Sequence, residues 1–98
     1  MLRPDYAPHF NRDVKRLKKQ RRNLDELKHV MNLVIEHTEE SRAELRRRHG
    51  EHLLAGNWRG HHECHVCNAG DWLLIWAEND EVALFERTGS HDDLFGRR

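Results

Sequence analysis

Apolar positions along the chain follow two periods in succession. From Leu24 they recur at Leu27, Val30, Met31, Val34 and Ile35, the three- and four-residue spacing of one helical stripe, with Asn23 or Asp25 available to cap its start. Upstream, Val14 and Leu17 are ringed by Lys15, Arg16, Lys18, Lys19, Arg21 and Arg22, which predicts a shorter, strongly basic helix capped by Asn11. Glu39 through His49 can form a further charged helix, with Gly50 placed to end it.

After Gly50 the period changes. An extended chain from Asn57 to Val66 turns Trp58, His62, Cys64 and Val66 to one face and Arg59, His61, Glu63 and His65 to the other. Cys67–Asn68–Ala69–Gly70 reads as a turn. Trp72–Ala77 is apolar throughout, as in a central strand covered on both faces. Asn79–Asp80 suits a tight hairpin turn, and Glu81–Arg87 a returning strand before Gly89. A brief first strand is expected near Tyr6–His9, and Asp92–Phe95 make a short tail. The layout is α+β: two N-terminal helices packed on a small antiparallel β-sheet, with a short C-terminal helix or turn, in a single domain spanning residues 1–98.

A chain of 98 residues has room for one compact core, burying roughly 60–65% of its unfolded surface. The longest apolar run is six residues, far short of the ~20 that a membrane helix needs. The first residues lack the apolar segment of a signal peptide, and two cysteines three positions apart make no disulfide framework. No membrane and a reducing, cytoplasmic setting are therefore expected. Formal net charge is zero, which by itself argues against a polyanionic partner. The zero conceals a division, however: residues 1–59 hold 14 basic and 9 acidic side chains, residues 60–98 hold 3 and 8. One molecule can thus present a basic and an acidic face.

Nine histidines are the other oddity. His52, His65, Asp71 and His91 fall at strand and turn positions, with Arg59 and Arg87 nearby. Imidazoles, a carboxylate and guanidinium groups suffice to cleave RNA without a metal: one group takes the proton of the ribose 2′-hydroxyl, a second protonates the leaving 5′-oxygen, and an arginine steadies the phosphate. With nine histidines some clustering is inevitable, so composition alone does not select this chemistry over surface or structural histidines.

The ordered motifs do. His52-Leu53-Leu54-Ala55-Gly56-Asn57-Trp58-Arg59-Gly60, then Glu63-Cys64-His65-Val66, then Asp71-Trp72-Leu73-Leu74-Ile75, then Phe85-Glu86-Arg87-Thr88-Gly89-Ser90-His91-Asp92-Asp93-Leu94-Phe95 resemble, block for block, the YafQ-type toxins of the RelE/ParE superfamily. That family shows H-x-L-x-G-x-W-x-G, an acidic residue two before a histidine, D-W-L-L-I-Y, and a strand ending R-T-G-T/S-H-x-x-L-F.

The resemblance implies a toxin of a type II toxin–antitoxin pair that cuts messenger RNA in the ribosomal A site by attack of the 2′-hydroxyl, without a cofactor or metal. It implies a monomer when free and a hetero-oligomer with a cognate antitoxin protein when neutralised. Carried over by position, the catalytic group is His52, His65, Asp71 and His91, with Phe95 beside the scissile nucleotide. His91 is then the general acid, His52 or Asp71 the base, and His65 the group that meets the phosphate. Lys15, Lys18, Lys19, Arg21, Arg22, Arg46, Arg47, Arg48, Arg59 and Arg87 become candidates for contact with ribosomal RNA and mRNA, the alternative being a solvated helix face.

Three departures stand out, one being that these toxins tend to be basic whereas this chain is neutral overall. His65 and Asp71 are six positions apart where the family has four, so two residues are added within Cys67–Gly70. Trp76 stands where the family has tyrosine. Two other functions remain open on this scaffold: binding of a protein target such as DNA gyrase, as in the ParE branch, and a folded but inactive homologue. A rival use of the cysteines is a zinc site made by Cys64 and Cys67 with two histidines such as His49 and His62. His61 and His65 cannot share an ion along one strand, being roughly 13 Å apart at ~3.3 Å per residue.

Overall fold

The computed structural model describes residues 1–67 and 70–96. Its elements run β1 (Arg3–Tyr6), α1 (Pro8–Lys19), α2 (Asp25–Glu36), α3 (Glu39–His49), β2 (His52–Leu53), a 3₁₀ turn (Gly56–Trp58), β3 (His62–His65), β4 (Leu73–Glu78), β5 (Val82–Gly89) and α4 (His91–Phe95). The sheet order is β1-β5-β4-β3-β2. β2 to β5 pair antiparallel, and β1 joins the far edge parallel to β5. The α+β architecture is the expected one, with α3 as a third helix and a mixed rather than purely antiparallel sheet.

Helix boundaries follow from capping. α1 begins at Pro8, three residues before the expected Asn11, because proline at the first helical position gives up no hydrogen bond. α3 matches its expected span: Thr38 and Ser41 exchange side-chain-to-backbone bonds of 3.0 and 2.9 Å, and Gly50 ends the helix in the left-handed region at φ 61°.

β4 is buried on both faces. Leu74 and Trp76 meet the helices, in a core with Phe10, Leu17, Leu27, Val30, Val34 and Phe85. Leu73 and Ile75 turn the other way, onto Leu94, Leu54 and Trp58. Trp58 therefore lies on the face opposite to the one its spacing from Cys64 predicts. The strand expected over 57–66 is shortened to His62–His65, because Gly56 and Gly60 adopt positive φ (67° and 88°) and break the extension. Trp76 is accommodated at the family's tyrosine position by an indole N–H that donates to Glu78 Oε1 at 2.9 Å.

Asp13, a lone acid in a basic helix, is buried to 1% exposure. Its carboxylate accepts from Arg87 Nε (2.8 Å) and Nη2 (3.2 Å), Arg16 Nη1 (2.9 Å) and the Thr88 backbone N–H (3.1 Å). Burial pushes this carboxyl up, but the bonds from Arg87, Thr88 and Arg16 outweigh it and hold the group below its ordinary value of 3.8. The cluster ties α1 to the end of β5, the end from which α4 starts.

Candidate active site

Strand register brings the candidate residues to one end of the sheet. His65 ends β3 opposite Leu73, which begins β4, and Leu73 in turn faces Gly89, which ends β5. Asp71 precedes β4 and His91 follows β5, so both lie at the edge that His65 closes. His52, on β2, pairs with Glu63 on β3. Glu63 and His65 share the strand face of Leu73 and Ile75, away from the three N-terminal helices.

His91 opens α4, which Ser90 caps through a reciprocal exchange with Asp93 (3.1 and 3.0 Å). In that position its backbone N–H points at the Asp71 carboxylate, donating to both oxygens at 3.1 and 3.2 Å. The ring Nδ1 lies 2.5 Å from Asp71 Oδ1. With Nδ1–H given to the carboxylate, Nε2 is left to face a substrate. Desolvation raises the Asp71 carboxyl, but the two kinds of bond from His91, with the His91 and His65 charges, pull it below its ordinary value. Asp71 is therefore held as a carboxylate against the His91 ring and backbone. Phe95, one helical turn on and 46% exposed, sets its ring 6.2 Å from the imidazole, an open aromatic surface beside His91.

The His52 ring lies between two acceptors, with Nδ1 2.9 Å from the Gly50 carbonyl oxygen and Nε2 3.3 Å from Glu63 Oε1. Glu63 is buried, and its Oε2 has no hydrogen-bond partner. Glu63 is thus a carboxylate of the site beyond the four motif residues, and its signal in the sequence is the acidic position two before His65 in the second block. His65 is exposed at the strand end, and its backbone carbonyl is held by His49 Nδ1 at 2.8 Å.

The basic candidates divide. Lys15, Lys18, Lys19, Arg21, Arg22, Arg46, Arg47, Arg48 and Arg59 are exposed. The Arg22 guanidinium stacks 4.6 Å above the Trp72 ring, which fixes a cation of the α1–α2 connection against the first residue before β4. Arg87 differs: its side chain is 13% exposed and its fork is committed to Asp13, so it braces β5 rather than facing an open surface.

The histidine excess has a structural account as well. Six of the nine lie within 4 Å of a carboxylate oxygen, among them His29–Glu44, His37–Glu78, His61–Glu86 and His62–Glu51 outside the motif set. Cys64, one of the two cysteines considered for zinc, is fully buried in the helix-side core, and that burial pushes its thiol up. Cys67 is half-buried at the turn. The two added residues fall within Cys67–Gly70, of which residues 68 and 69 lie outside the described residues.

The profile of the family "Bacterial toxin of type II toxin-antitoxin system, YafQ" matches residues 2–96. The mRNA interferase toxin YafQ of Escherichia coli K12 is 36% identical over 92 residues, 94% of each chain. The crystal structure of YafQ from E. coli BL21(DE3) superposes with a TM-score of 0.84 at 33% identity, covering 98% of this chain and all of that one. YafQ in the E. coli DinJ–YafQ toxin–antitoxin complex gives 0.80 at 34% identity, with the same coverage.

Proposed function

The chain belongs to the YafQ family of type II toxin–antitoxin toxins, and from that premise we propose that it is a ribosome-dependent mRNA endonuclease working by metal-independent acid–base chemistry. The observation that carries this reading is the His91–Asp71 pair at the sheet end shared with His65 and next to His52. A protein that only binds a partner has no need of this pair together with two further histidines at one end of the sheet.

In this reading His91 Nε2 protonates the leaving 5′-oxygen, and Asp71 stabilises the imidazolium that precedes the transfer. His52 keeps Nδ1–H on the Gly50 carbonyl oxygen and takes the 2′-hydroxyl proton through Nε2 once that nitrogen turns from Glu63 to the substrate. His65 meets the charge that develops on the phosphate, and Phe95 supports the nucleotide at the cut. Residues 1–98 act as one toxin domain. A cognate antitoxin silences it in a hetero-oligomer, as DinJ accompanies YafQ in E. coli, and the free toxin is a monomer of the bacterial cytoplasm. No helix among the described residues is long and apolar enough to cross a membrane.

Induction in cells tests the activity class: growth arrest with codon-phased mRNA cuts supports a ribosome-dependent nuclease. Arrest with intact mRNA points to a protein target, and unimpeded growth to an inactive homologue.

The exposed basic face makes a separate prediction. Lys18→Glu with Arg22→Glu reduces the salt dependence of ribosome binding by about two log-log units, one per lost phosphate contact, and weakens binding at low salt. Sedimentation with ribosomes across a salt series measures it, and an unchanged slope removes this face from the RNA contact.

A further inference from the structure

Three potential metal donors meet where α2 packs on α3, in a group that shares no residue with the His91–Asp71 pair. His29 comes from α2, Glu44 and His49 from α3, and one ligand atom from each lies within 4.8 Å of the other two. His29 Nε2 is already 3.1 Å from Glu44 Oε2. A tetrahedral ion with bonds of about 2.0–2.1 Å sets its donors roughly 3.3 Å apart. His29 is exposed and Glu44 half-buried, so side-chain rotation alone can close the remaining gap.

His49 is prepared for ligation by its other nitrogen. Its Nδ1 sits 2.8 Å from the His65 backbone oxygen, an acceptor, so Nδ1 carries the proton and Nε2 carries the lone pair. A histidine whose far nitrogen is anchored to a carbonyl is the usual outer-shell arrangement of a metal ligand. The three residues line an open cleft of about 610 Å³ that also holds Asp25, Glu26 and Arg48, three carboxylates against one guanidinium, a field that attracts a cation.

We propose that His29, Glu44 and His49 bind a divalent transition-metal ion of the zinc class, with water in the fourth position. Two imidazoles and one carboxylate suit zinc and its borderline neighbours better than magnesium or calcium. Affinity falls on acidification, because the imidazoles must bind neutral. The site stands whether or not the chain cleaves RNA.

Equilibrium dialysis of tag-free protein against Zn²⁺ near neutral pH, with elemental analysis, reads it out. Wild type takes up about one equivalent, and His29→Gln and Glu44→Gln each weaken binding by about tenfold or more, whereas His91→Ala binds as wild type. Circular dichroism checks the fold of each variant. Zinc raises the melting temperature of wild type and leaves that of His29→Gln unmoved. Equal uptake by wild type and His29→Gln, or uptake lost in His91→Ala and kept in His29→Gln, overturns the proposal, the second outcome assigning the ion to the active site.

Discussion

Replacing His91 by alanine lowers the mRNA cleavage rate by about 10²- to 10⁴-fold, the contribution of one positioned proton donor, while the fold stays intact. The side chain is 57% exposed, and the backbone N–H that anchors α4 to Asp71 does not depend on it. Asp71→Asn tests the partner: it keeps the shape, but its amide no longer selects the Nδ1–H tautomer or supports an imidazolium. Activity therefore falls in that variant with His91 still in place. Cleavage by purified ribosome complexes, beside thermal melts of each variant, makes the comparison. If His91→Ala cuts at the wild-type rate, the imidazole is not the proton donor. If activity falls only in step with the fraction of the variant that is unfolded at the assay temperature, the loss belongs to stability and not to chemistry.

Asp13→Ala gives the largest stability effect, about 3–5 kcal/mol, because it leaves the Arg87 guanidinium buried without its counter-charge. That is a large share of the 5–15 kcal/mol a domain has in total, so this variant is expected to be partly unfolded at growth temperature. Asp13→Asn separates charge from shape. The folded carboxyl of Asp13 lies below the ordinary 3.8, so its ionisation stabilises the fold fully above that value. The contribution is lost as pH falls from there through the lowered folded value. Urea unfolding of wild type and Asp13→Asn at neutral pH and at acid pH reads the sign directly: the gap between them is wide at neutral pH and narrows in acid. A gap that widens in acid would mean that the charge is not what Arg87, Arg16 and Thr88 hold. The Asp71 carboxylate is also lowered, but it is exposed and screened, so it adds little to this limb.

These two residues differ in how far they could be read from the chain alone. His91 stands in an ordered motif, and its relation to Asp71 follows once β4 and β5 are recognised as a hairpin: the two side chains must then share one end. The α3 span, Glu39 to His49, was readable because the Gly50 stop is local, and the burial of both faces of β4 from its unbroken apolar run. Asp13 could not be read, since an acid among lysines and arginines has the pattern of a solvated face. Its burial is set by Arg87 and Thr88, some 75 positions away. For the same reason Arg87 passed for an exposed phosphate ligand. β1 pairs with β5 across the whole chain and carries no periodicity of its own, and Trp58 was assigned to the wrong face because two glycines with positive φ interrupt the alternation.

The net charge misled in a similar way. Zero is the sum over both halves, whereas the cations gather on α1, the α1–α2 connection and the last turn of α3, the last of these leading into His52.

The central claim, proton-transfer cleavage through the 2′-hydroxyl without a metal, is tested most directly by the chemical end left at the cut. Ribosome-bound mRNA is cleaved by the purified toxin after chelation of transition metals, and the 3′ end of the upstream fragment is identified. The account predicts cleavage at an undiminished rate and a 2′,3′-cyclic phosphate. A 3′-hydroxyl end, or cleavage that stops when zinc is removed and returns with it, would contradict it.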